Sequence, residues 1–315
     1  MIDEPTLFDV PLEKLVGITR SMIGQDVEKA KEDIETLSNI YPHHPHINRE
    51  KKIVLHIHEA LNTDGTPAEF FKRFRAYRKL LQELAYAPTY AIQVEELFFR
   101  RIIETFGDDP PQPVYGFPTG YLLMKAGMFE DARESLEGEA SAPSLPSRSR
   151  ARLVGYLGDL FSMMGDEPVA RKKYLEAMLT DWRGMDADNI VDEDVRALLS
   201  GSYVSEDHGG VWAASVGAMF LILPRPDFAD SDEVLRFSKE FLALKNAQKK
   251  DESEELAGKL FFYALVIAEN ERLFRSLKDA DIMELRKLMR RLNASLFRLY
   301  TKISLSSDRD AEDQS

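Results

Sequence analysis

LGDLFSMMGDEPVARKKYLEA, residues 157–177, decides the fold. Leu157, Phe161 and Met164 fall three or four residues apart and so share one face of a helix. Gly158, on the same helix, leaves room for a neighbouring helix to come close. Gly165 stands where that helix must stop, because glycine adopts the left-handed turn conformation without steric cost. Asp166 then offers an N-cap to a second helix, in whose first turn Pro168 is tolerated. On the second helix Ala170 and Ala177 are small where two helices cross, and Tyr174 fills the gap between them. A helix–turn–helix of this kind cannot bury its apolar face alone and must stack on neighbours.

The skeleton L-G-x-x-F-x-x-x-G-x-x-x-x-A-x-x-x-Y-x-x-A resembles the tetratricopeptide repeat (TPR), a unit of about 34 residues. It departs from that pattern at the opening aromatic position, occupied by Val154, and at the closing proline position, occupied by Trp182. A weaker copy carries Gly120, Leu123, Gly127, Phe129, Ala132 and Leu136, with its loop glycine 38 residues before Gly165. The excess over a strict repeat falls in Ser141–Ser149, a Ser/Pro-rich connection that cannot continue a helix. A third, faint copy runs from Ile18 to Leu37 with Asp26, Ala30 and Ile34.

The resemblance implies an all-α fold of TPR-like helix–turn–helix repeats stacked as a right-handed solenoid, with a C-terminal capping helical region. It also implies a non-enzymatic scaffold, adaptor or regulatory subunit that holds a protein or peptide segment in a groove lined by the first helix of each pair. Tyr121 and Lys125 from the first copy, with Arg152, Tyr156 and Asp159 from the second, are the groove residues it points to. The family's carboxylate clamp pairs Asn with Lys. Here Lys125 and Arg152 stand without an Asn, so the resemblance does not extend to a chaperone-tail clamp.

Composition narrows the classes further. The chain has 315 residues, 44% hydrophobic and 30% charged, which suits a folded, soluble protein. It has no cysteine, which excludes a disulfide, a zinc–thiolate site and a cysteine nucleophile. The start, MIDEPTLFDVPLEK, is acidic and lacks the cationic and apolar regions of a secretory signal. The longest apolar run, Leu260–Ala268, is half a membrane span, so a cytoplasmic protein without a membrane partner is expected. A formal net charge of −13 opposes whole-surface attraction to nucleic acid or anionic lipid.

Nearly every periodic stretch has the helical period. Helices are expected over Ile47–Leu61, Pro67–Ala87, Tyr90–Phe106, Asn189–Leu199, Val211–Leu223, Asp232–Lys245, Glu252–Leu277 and Asp281–Ile303. The last is the clearest amphipath, with Leu285, Leu288, Met289, Leu292, Leu296, Leu299 and Ile303 on one face and Asp279 and Asp281 near its N-terminus. Gly107–Pro118 is rich in helix breakers and reads as a linker. The domains expected are therefore 1–110 (N-terminal helical pairs), 111–182 (the repeat pair), 183–303 (a C-terminal helical region) and a disordered tail, 304–315.

Candidate chemistry is sparse. His43, His44, His46, His56 and His58 cluster in sequence, but residues two apart on a helix point away from each other and cannot chelate together. Ser205-Glu206-Asp207-His208-Gly209-Gly210 puts hydroxyl, acid and base in a row, whereas triad members come from separate elements. Asp186, Asp188, Asp192 and Asp194 lack the glycine and terminal glutamate of a calcium loop. No catalytic residue, metal or cofactor is expected. Two basic stretches support a second function, a nucleic-acid-associated regulator. Lys72, Arg73, Arg75, Arg78 and Lys79 interleave with Phe70, Phe71, Phe74 and Tyr77, as phosphate and base contacts require. Arg286, Lys287, Arg290, Arg291, Arg298 and Lys302 form the other stretch. The aromatics at 70, 71, 74 and 77 also form one stripe, as burial in a core requires. A third reading is an enzyme whose acid and base groups are scattered over a helical scaffold.

Overall fold

The computed structural model describes residues 12–106, 116–274 and 281–312. The acidic start, most of the expected linker (107–115), Asp279 and residues 313–315 lie outside them. All regular structure among the described residues is helical, so the protein is all-α. The chain divides into two compact units, Met1–Leu136 and Glu137–Ser315.

The first unit holds α1 (Leu12–Ile23), α2 (Val27–Ile40), α3 (Pro45–Asn62), α4 (Pro67–Glu83), α5 (Ala91–Glu104), α6 (Thr119–Lys125) and most of α7 (Phe129–Ala140). The second holds α8 (Ser147–Met163), α9 (Glu167–Asp181), α10 (Glu193–Ser200), α11 (Ala213–Met219), α12 (Ser231–Gln248), α13 (Glu254–Glu269), α14 (Glu271–Phe274), α15 (Ile282–Leu292) and α16 (Ala294–Glu312).

Three helical pairs, α1–α2, α6–α7 and α8–α9, reverse through the same turn. In each, one residue in the left-handed region follows the first helix: Gln25 at φ 62°, Gly127 at 75° and Gly165 at 80°. The N–H of the following residue (Asp26, Met128 or Asp166) bonds back to the carbonyl five residues earlier, on Ser21, Leu123 or Phe161. These bonds satisfy carbonyls that a helix end leaves open. The second helix then starts two residues after the left-handed one, at Val27, Phe129 or Glu167. Asp26 and Asp166 cap it by accepting from the N–H of Lys29 and Val169.

The sides of these pairs also correspond. Ala30, Ala132 and Ala170 are buried at one register, and Ile34, Leu136 and Tyr174 are buried one turn on. A Cβ on Gly120 would lie 2.5 Å from the Leu136 side chain, and one on Gly158 would lie 2.6 Å from the Tyr174 ring. The absent side chain is what lets the larger partner lie across the first helix. α4 ends in the same bonding pattern at Ala85 (φ 47°), but α5 begins only at Ala91.

The core of the second unit centres on α13, which is apolar on nearly all sides; Leu260, Phe261, Phe262, Leu265, Val266 and Ile267 are all buried in it.

Several expected helices are cut shorter. The expected helix Asp281–Ile303 is two helices broken at Asn293, whose backbone is extended at φ −153° and ψ 103°. The Asn293 carboxamide accepts from the Leu296 N–H (2.9 Å), so its side chain starts α16 where a continuous helix would have run through. α16 itself continues to Glu312, past the end of the apolar pattern. The Val211 helix stops at Met219, before Leu221 at φ 58°. The Asn189 helix starts only at Glu193, where Asp192 accepts from the N–H groups of Asp194 and Val195.

Gly158→Ala is expected to cost about 2 kcal/mol or more, because the new methyl overlaps a buried ring. Gly165→Ala, with open space around it, is expected to cost only about 1 kcal/mol from its backbone conformation. Gln25→Gly relieves the left-handed strain but gives up the side chain's hydrogen bonds with Glu96 (3.1 Å) and Arg100 (3.3 Å), so its net effect is expected to lie within about 1 kcal/mol of zero. Urea denaturation followed by circular dichroism ranks the three.

Candidate functional site

The residues that the repeat resemblance singles out are mostly interior. In the first unit Tyr121 is buried, with its ring stacked on Phe117 (4.7 Å between centroids) and edge-on to Phe99. Lys125 keeps 21% of its side chain exposed and pairs with Glu95 at 3.3 Å. In the second unit Arg152 is half-buried, and its Nε donates to the Tyr156 hydroxyl at 3.0 Å. That hydroxyl in turn donates to Asp186 at 3.3 Å.

Asp159 is 2% exposed and faces the interior. Its Oδ1 accepts from the Tyr174 hydroxyl at 2.6 Å and from the Val191 N–H at 2.9 Å. One carboxylate thus ties α8 to α9 and both to the connection before α10. Burial, aided by the Asp159 carboxylate, raises the Tyr174 phenol well above its ordinary range. Burial pushes Tyr156 up to about 12 against the pull of Arg152.

The basic stretches divide between the units. On α4, Lys72, Arg75, Arg78 and Lys79 are exposed. Arg73 instead turns onto the end of α3 and donates to the carbonyls of Ala60, Thr63 and Asp64. Phe70, Phe71, Phe74 and Tyr77 are buried, so the aromatic stripe is core and the cations stand opposite it. The break at Asn293 assigns Arg286, Lys287, Arg290 and Arg291 to α15, and Arg298 and Lys302 to α16. All six are exposed, with Lys287 paired to Glu284 at 2.8 Å.

Members of two other polar clusters tie elements together, whereas neither ring nitrogen of the buried His44 or His208 has a hydrogen-bond partner among the described residues. His58 meets Glu28 at 2.7 Å, joining α3 to α2, and His46 meets Arg49 at 3.1 Å. Arg171 bridges Asp192 and Asp194, fixing α9 to the start of α10.

A cleft of about 910 Å³ lined by groups of both charges lies wholly within the second unit. Three helix ends meet there. α12 ends with Lys245 and Gln248 and is followed by Lys249, α13 begins at Glu254 just after Glu252, and α15 finishes with Arg291 and Leu292. Trp212, Leu260, Leu288 and Leu292 give it an apolar floor, and Asp207 stands at its edge. Cations belong at helix C-termini and acids at N-termini, where they complement the helix dipoles. Because the ends converge, those same charges form a rim of both signs. The Gln248 Oε1 is buried there and accepts no hydrogen bond among the described residues.

Of this cleft, sequence reasoning singled out Arg291 in a basic stretch, Leu288 and Leu292 on an amphipathic face and Asp207 in a polar run, without bringing them together. The available signal was the abrupt change of charge sign in KNAQKKDESEE, residues 245–255, across a helix junction.

Compared with family models, curated proteins and solved structures, the chain matches none.

Two outcomes follow from the buried phenols. Asp159→Ala leaves the Tyr174 hydroxyl and the Val191 N–H without their acceptor, and is expected to cost about 2–4 kcal/mol in urea denaturation. The folded pKa values of Tyr86, Tyr156 and Tyr300, each about 12, lie above the unfolded value of about 10. Their contribution is therefore complete below pH 10 and lost as pH rises from about 10 towards 12. Urea midpoints should hold up to about pH 9.5 and fall beyond it, while absorbance at 295 nm shows these phenols ionising late.

Proposed function

We propose that the chain is a non-enzymatic protein-interaction module, a scaffold, adaptor or regulatory subunit of the cytoplasm, built from TPR-like repeats. The observation that carries this reading is the recurrence of one turn, one bonding pattern and one alternation of small and large residues in α1–α2, α6–α7 and α8–α9. Repetition of a packing unit makes extended helical surfaces suited to holding other polypeptides. Stacking as a right-handed solenoid is the arrangement the family resemblance implies. In this reading Lys125 and Arg152 are the partner-facing charges of their respective units. Tyr121, Tyr156 and Asp159 support them from inside.

A second reading, nucleic-acid binding, draws support from the exposed cations of α4. Phosphate contacts release counterions, so such binding weakens steeply with salt.

Affinity capture from native lysate with the full chain as bait, with and without nuclease, separates the two. Specific proteins retained after nuclease treatment are expected, with the set reduced by Arg152→Glu or Lys125→Glu. Loss of every retained protein on nuclease treatment would sink the interaction-module reading in favour of the basic helix.

A further inference from the structure

We propose that the cleft of the second unit binds an extended peptide segment in which apolar side chains are flanked by an acidic residue on one side and a basic residue on the other. This rests on reading the chain as a protein-interaction module, and it assigns that module a particular site.

The argument starts from the rim. Lys249 caps the end of α12 and Arg291 lies in the last turn of α15, whereas Glu252 and Glu254 flank the start of α13 and Asp207 precedes the floor tryptophan. Both signs of charge are thus fixed to rigid helix ends around one cleft. A ligand carrying a single sign would meet repulsion from half of the rim. One with separated opposite charges can satisfy both halves at once.

The floor supplies the second requirement. Trp212, Leu260 and Leu288 are buried, and Leu292 is half-buried. Leu292, with the edges of Trp212 (5% exposed) and Leu288 (7% exposed), offers the apolar surface that can anchor a ligand side chain, and Leu260 lies fully buried beneath them. Apolar side chains and separated charges of opposite sign are found together in a polypeptide.

The test uses the full chain and a synthetic array of octapeptides. Each peptide has two variable apolar residues at its centre, flanked by two aspartates and two lysines in either order. Control arrays carry all-acidic, all-basic or uncharged flanks, or serine in place of the apolar pair. Retention of opposite-charge peptides in one order is expected, with affinity falling at least tenfold when serine replaces the apolar pair. Lys249→Glu with Arg291→Glu should weaken the best peptide at least tenfold. Exchanging that peptide's aspartates for lysines should restore its binding to the variant.

Three results would overturn the proposal: no preference for opposite-charge flanks over the controls, wild-type affinity in the double variant, or no rescue by the exchanged peptide. Both substitutions lie on exposed side chains, and an unchanged circular dichroism spectrum shows that the variant is folded. Continued lysate capture by a variant that has lost no peptide binding would reject the cleft and leave the module reading standing. Absence of any captured protein would reject the module reading itself.

Discussion

The close approach of α8 to α9 governs the second unit. Tyr174 can lie flat across α8 because residue 158 has no side chain, and its hydroxyl then reaches the next residue, Asp159. A buried carboxylate costs free energy unless it is hydrogen-bonded, and here a phenol and the Val191 N–H both donate to its Oδ1. That second bond draws in the connection that leads to α10, whose start is fixed in turn by Asp192 and Arg171. Packing and hydrogen bonding therefore share one small volume. In the α6–α7 pair the same register holds Gly120 against Leu136, an apolar contact with no hydroxyl to satisfy. The geometry recurs while the polar anchor belongs to α8–α9 alone of these two.

Helix ends, more than helix faces, gather this protein's chemistry. The dipole favours lysine and arginine at C-termini and acids at N-termini, each a modest local stabilisation. Where a single end meets solvent, that arrangement has no further consequence. Where α12, α13 and α15 end beside one another, the same preference builds a rim of mixed sign over an apolar floor. Arg73 shows the opposite fate of a helix cation. It lies within a basic run, yet its guanidinium satisfies three carbonyls at and just beyond the α3 end and is held there.

The all-α class and the two glycine-marked pairs were legible in the sequence because glycine in a left-handed turn and small residues at crossings leave fixed spacings. The α1–α2 turn was faint for a physical reason. Gln25 takes the left-handed conformation without being glycine, and Ile18 stands where the other pairs have glycine. The break at Asn293 was hidden by an apolar pattern that runs unbroken from Leu285 to Ile303, since side-chain capping by one asparagine does not disturb that period. Burial of Tyr156 and Asp159 was equally out of reach. Helical spacing says which residues share a face, and the stretch Leu153–Leu160 is buried on all sides. The cleft could not be read because its lining comes from segments up to 86 residues apart, Asp207 to Asn293, joined only by tertiary packing.

The net charge of −13 bears on these sites less than it first suggests. At physiological ionic strength the Debye length is about 8 Å, so exposed acids elsewhere on the surface are largely screened from a local group of cations. Lys72, Arg75 and Lys79 recur along α4 at helical spacing, close enough to one another to act on one ligand. Lys79 is partly offset by Glu83 at 3.6 Å, an exposed pair of little energetic weight. The global charge thus sets solubility and discourages indiscriminate anion binding, while the few residues within one screening length of a site decide what it attracts. On α4 the run from Lys72 to Lys79 is cationic with Glu83 at its end, whereas the charges around the cleft of the second unit are of both signs.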